Sequence, residues 1–71
     1  MTKAEIQERL EQKPFRPFKV RLLDGLEVLV PTGDHAHLHP KGRTLFVHLD
    51  RGGTKIIDVA LVTALEVEET A

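Results

Sequence analysis

The sequence contains no cysteine and no serine. The first absence excludes a disulfide framework and a thiolate metal site, and it fits a reducing compartment. Together the two absences remove the commonest side-chain nucleophiles. No apolar run approaches the roughly 20 residues of a membrane-spanning helix. The opening MTKAEIQERLEQ is too polar for a signal peptide, so a soluble, cytoplasmic protein is expected. Aromatic residues are scarce: Phe15, Phe18 and Phe46 are all there are, a thin supply for a platform that stacks single-stranded bases. A net charge of -1 argues against a general polyanion binder, because affinity for phosphate backbones comes from many clustered Lys and Arg.

What is present is one small domain of 71 residues. A chain of this size buries only roughly 60% of the surface that its unfolded form exposes. Its core is marginal, and a partner subunit would help. Charge is unevenly spread along the chain. Lys3, Arg9, Lys13, Arg16, Lys19 and Arg21 crowd the first third, while Asp58, Glu66, Glu68 and Glu69 dominate the last stretch. A solvated surface explains most such patterns; attraction between subunits is the other use.

Thr2 and Glu5 have the spacing of a capping box, which predicts a helix from about Lys3 to Gln12 with Ile6 and Leu10 on one face. Pro14 disfavours helix at Lys13 and ends it. PFRPF then runs extended, with Phe15 and Phe18 tying the helix to a sheet. FKVRLLDGLEVLV is the clearest signal in the chain: two alternating runs flank Asp24-Gly25. A two-residue loop would mix the two faces. A three-residue loop, Leu23-Asp24-Gly25, with Gly25 in the left-handed conformation, pairs Leu22 with Leu26, Val20 with Val28 and Phe18 with Val30, and sets Arg21 opposite Glu27. That register is the expected one.

Pro31-Thr32-Gly33 break the second strand. TLFVHL, KIIDV and a last strand from Val62 to Val67 follow, separated by the turns PKGR, DRGGT and Ala60-Leu61, and the EETA tail is expected to fray. The fold class is mainly β (α+β): an N-terminal helix followed by about five short antiparallel strands, forming a strongly bent sheet or a small, partly open barrel. The expected core is Ile6, Leu10, Phe18, Val20, Leu22, Leu26, Val28, Val30, Leu45, Val47, Ile57, Val59, Leu65 and Val67.

DHAHLHP places His35, His37 and His39 at every second position. If the stretch is extended and Pro40 to Arg43 form the turn, Leu38 faces Leu45, Ala36 faces Val47, His37 faces Phe46, His39 faces Thr44 and His35 faces His48. All four imidazoles then share one side. The Cα atoms of His35 and His39 would lie about 13 Å apart in a straight strand, too far to share one ion. His35, His37 and His48 are therefore the candidate metal ligands, with nitrogens required at about 2.0–2.1 Å from zinc. A hydrophilic outer strand face is the ordinary explanation of the same pattern, and a pH-sensitive interface is a third.

Other chemistry is lacking. Thr44, Thr54 and Thr63 suit strands and turns and have no activating base beside them. Glu66, Glu68 and Glu69 read as a solvated end rather than an acid/base pair. Gly42, Gly52 and Gly53 do not belong to a phosphate loop. No enzymatic activity and no cofactor are expected.

PFRPFKVRLLDG, HPKGRT and IIDVALVTALEV, in this order, resemble a group of short, uncharacterised bacterial proteins built as a helix, a PFRPF lead-in, a DG hairpin, an HPxGRT turn and a closing LVTxLEV strand. The resemblance covers nearly the whole chain and implies the fold and a bacterial source, with no activity attached. The chain is also similar, more loosely, to Sm-like and SH3-like small barrels, some of which bind RNA as rings. Where the last two strands meet, DVALVTALEV replaces the Arg-Gly of the second Sm motif. For RNA, Lys13, Arg16, Lys19 and Arg21 would contact phosphate. The expected function is a non-enzymatic protein-interaction or oligomerisation module with self-association and an unidentified protein partner; an RNA-binding barrel and a histidine metal protein are the alternatives.

Overall fold

The computed structural model describes residues 1–67, so the EETA tail lies outside them. Helix α1 spans Lys3–Leu10 and opens on the capping box. The Thr2 hydroxyl accepts from the Glu5 backbone N–H at 3.4 Å, while the Glu5 carboxylate accepts from the Thr2 N–H at 3.1 Å and from the Thr2 hydroxyl at 2.7 Å. The helix stops at Leu10, two residues short of the expected Gln12, with Glu11 as its cap before the turn into Pro14. Ile6 is fully buried and Leu10 packs at the margin of the core, so the narrow apolar stripe does face inward.

Six strands, not five, follow among the described residues, in two separate three-stranded antiparallel sheets. They are β1 (Phe18–Leu22), β2 (Glu27–Val30), β3 (Ala36–Leu38), β4 (Thr44–His48), β5 (Thr54–Asp58) and β6 (Val62–Val67). The first sheet has the order β2-β1-β6 and the second β3-β4-β5. They remain two sheets rather than one bent sheet because Pro31 and a 3-10 turn over Gly33–His35 part β2 from β3, and a second such turn over Val59–Leu61 parts β5 from β6.

The β1–β2 hairpin adopts the three-residue loop. Gly25 has φ +90°, and the register pairs Phe18 with Val30, Val20 with Val28 and Arg21 with Glu27. The Leu22 N–H donates to the Leu26 carbonyl at 2.8 Å, and the Asp24 carboxylate accepts from the Leu26 N–H at 3.0 Å. β6 returns along the other side of β1, pairing Phe18 with Val67 and Val20 with Leu65 and slipping register between Arg21 and Leu22.

The core lies where the inner faces of the two sheets meet. Phe18, Val20, Val28 and Val30 of the first sheet join Ala36, Leu45, Val47 and Ile57 of the second, with Val59, Val62 and Ile6 completing the cluster. Each large apolar side chain so buried stabilises the fold by about 1.5–3 kcal/mol. Leu26 does not join them. It is 59% exposed at the hairpin tip, where Leu23, whose N–H donates to the Leu61 carbonyl at 2.9 Å, and Leu61 are exposed too. Leu10, Leu22, Leu65 and Val67 pack around the core without being fully enclosed, and Ala36 and Val62 are enclosed in addition to the expected set.

Candidate functional site

The outer face of the β3-β4-β5 sheet is built by strict alternation. Ala36, Leu45, Val47 and Ile57 point inward, which sends His37, Phe46, His48 and Ile56 outward. The expected pairings of Ala36 with Val47, His37 with Phe46 and Leu38 with Leu45 are all present. His37 stacks on two rings at once, with centroids 5.0 Å from Phe46 and 5.1 Å from His48 and interplanar angles of 23° and 29°. Across the next ladder Ile56 pairs with Phe46 and is 70% exposed.

His35 has left this face. Thr32 caps the 3-10 turn by accepting from the Asp34 N–H at 3.2 Å, so His35 lies in the turn and not on β3. Its Nδ1 is 2.7 Å from the Thr32 hydroxyl and its Nε2 is 2.6 Å from the Asp50 carboxylate. The remaining imidazoles are engaged separately: His48 Nδ1 meets the Thr54 hydroxyl at 3.0 Å, and His39 Nδ1 accepts from the Lys41 N–H at 3.1 Å. Among the described residues no group of three His, Cys, Asp or Glu side chains is arranged to hold a metal ion. His37 and His48 come together, but His35 is drawn off towards Asp50.

Strand alternation gives no hint of the Thr32–His35–Asp50 series. Its signal lies in a threonine three residues before a histidine, at the break after β2, and in an aspartate of the β4–β5 turn. Hydroxyl, imidazole and carboxylate in a row also occur in nucleophilic sites. Here the Thr32 oxygen is the cap of its own turn, and the series clamps the β2–β3 connection onto the β4–β5 turn.

The four basic residues separate into two places. Lys13 and Arg16 border an open hollow of ≈ 310 Å³ together with Arg9, Gln12 and Pro14. Lys19 and Arg21 lie on the outer face of β1. Arg21 is bound to Glu27 at 2.8 Å and also to Glu66, which leaves it poorly placed to meet phosphate.

Strand β5 is a sheet edge, and among the described residues it pairs only with β4. Thr54, Lys55, Ile56 and Asp58 are all exposed along it, and only Ile57 is buried. The opposite edge, β3, has α1 packed near it, and the Lys3 ammonium donates to the Pro40 carbonyl beyond it at 2.9 Å. An exposed strand edge with a large apolar side chain is a template for another strand. No helix of the described residues is long and apolar enough to cross a membrane. No protein-family model matches the chain, and neither a curated protein nor a solved structure matches it.

Proposed function

We propose that this chain is a non-enzymatic binding module of the bacterial cytoplasm that works by self-association. The observation that carries the reading is the edge of β5, whose backbone faces solvent beside Ile56 at 70% exposure. The small core gives the same direction, because a chain of this length gains proportionately from surface buried against a partner. Sedimentation velocity across a wide concentration range tests the reading: a concentration-dependent dimer or larger species is expected, and a strict monomer at the highest concentration would overturn it.

A second reading has its own support. The His37, Phe46 and His48 rings form a stacked group on an outer face, the kind of surface on which unpaired bases lie. Short single-stranded RNA titrated at several salt concentrations distinguishes the two. Salt-dependent binding weakened by Phe46→Ala supports an RNA function, and no binding at low salt disposes of it.

A further inference from the structure

We infer that the partner of β5 is β5 of a second copy of this chain, paired antiparallel about Ile56. The inference rests on the self-association reading and specifies its surface and register.

The direction of the free backbone groups follows from the ladder. The Leu49 N–H donates to the Gly53 carbonyl at 3.0 Å at one end, and the Val59 N–H donates to the Arg43 carbonyl at 3.0 Å at the other. Hydrogen-bonded and non-hydrogen-bonded pairs alternate along an antiparallel ladder. The bonds between those ends therefore fall at Val47 with Lys55 and at Leu45 with Ile57. Thr54, Ile56 and Asp58 turn their N–H and C=O groups away from β4, towards solvent.

Two-fold symmetry makes such an edge self-complementary only in particular registers, because the surface must meet itself. Centred on Ile56, the pairing sets Ile56 against Ile56, Thr54 against Asp58 and Lys55 against Ile57, and every outward-directed backbone group of the strand finds a partner. Centred on Lys55, it would place two ammonium groups directly opposite, which is unfavourable. Centred on Ile57, it would require the Ala60 N–H, which already donates to the Asp58 carboxylate at 2.9 Å.

Charge favours the same answer. The strand is positive near one end, at Lys55, and negative at the other, at Asp58. Antiparallel copies bring unlike ends together, whereas parallel copies bring like ends together. On the outer face the two Ile56 side chains meet, and each lies beside its own Phe46, so one apolar strip runs across both protomers.

Because the chain has no cysteine, a single introduced one reports unambiguously. Opposed Cα atoms of a hydrogen-bonded pair are about 5.5 Å apart, within the roughly 4.4–6.8 Å span of a disulfide. Ile56→Cys should thus form a covalent dimer under mild oxidation. Thr54→Cys, on the same exposed edge, should not, since its copies would be offset by about 13 Å along the strands. Ile56→Lys should raise the dimer dissociation constant by about tenfold or more, while circular dichroism reports an unchanged fold. The two cysteine variants locate the interface whether or not the lysine variant folds. If the protein dimerises yet Ile56→Cys cross-links no better than Thr54→Cys, the β5 assignment is overturned while self-association stands. A monomer at every concentration overturns both.

Discussion

At Gly42 the backbone does two things at once. Its φ of +74° is left-handed, and a Cβ there would stand 2.7 Å from Lys3 Cβ and closer still to Lys3 Cγ and Cδ. The first feature strains any L side chain, and the second obstructs the docking of α1 onto the β3–β4 turn. Gly25 shares the positive φ, at +90°, but a Cβ there meets nothing within 4 Å. Gly25→Ala should cost about 1 kcal/mol, the backbone penalty alone. Gly42→Ala should cost clearly more, about 2–3 kcal/mol, as read from urea unfolding midpoints. Equal losses would mean that Lys3 is not held against the turn. Glu5 offers a second test at this scale. Its carboxyl is held below the ordinary value of 4.5, first by the Thr2 hydroxyl and then by the Thr2 backbone N–H. A carboxylate depressed on folding contributes stability that is present above its unfolded pKa and is lost as pH falls through the folded one. Wild type should therefore lose stability as pH drops below about 4.5. Thr2→Ala should show a shallower loss over the same range, and parallel pH profiles would refute the capping box as the cause.

Among the elements, the β1–β2 hairpin separates what alternation can tell from what it cannot. Period-two spacing with a glycine three residues into the bend is enough to place Val20 against Val28 and Arg21 against Glu27, because a one-residue slip would expose the whole apolar set. The same logic gives the β3–β4 register. Alternation assigns a side chain to a face, not to a depth. Leu26 has the face of a core residue and 59% exposure, whereas Val28, two positions on, has 5%. Val28→Ala should accordingly cost about 2 kcal/mol. Leu26→Ala, which removes more carbon, should stay within about 0.5 kcal/mol. A larger loss at Leu26 would show the hairpin tip folded back onto the core. Other features have no local signature. The pairing of β6 with β1 joins residues forty or more positions apart, and the splitting into two sheets depends on turns whose geometry is set by their caps. The departure of His35 from the histidine face belongs here as well: the strand pattern of HAHLH is legible, but the 3-10 turn capped by Thr32 takes up its first histidine. Lys13, Arg16, Lys19 and Arg21 are close in sequence, yet the carboxylates that occupy Arg21 come from two other strands.

For the molecule as a whole, the radius of gyration of the described residues is 11.3 Å, near the roughly 11 Å expected of a folded chain this long. The self-association proposed above uses surface already formed, the β5 edge, which among those residues pairs only with β4. The fold that presents it stands on a small cluster in which α1 contributes one fully buried side chain, Ile6. Domains of this size are stable by only about 0.05–0.15 kcal/mol per residue, so the proposed docking of a second copy would be a substantial share of the total. On that proposal folding and association are linked by mass action, and the midpoint of unfolding moves with protein concentration. The thermal midpoint, read by circular dichroism, should rise steadily as wild-type concentration increases a hundredfold. Ile56→Lys should melt at one temperature throughout, close to the wild-type value at high dilution, because the substituted side chain is mostly in solvent and leaves the monomer's core untouched. A wild-type midpoint independent of concentration would mean that the monomer supplies all of its own stability and that the β5 edge remains unpaired in solution.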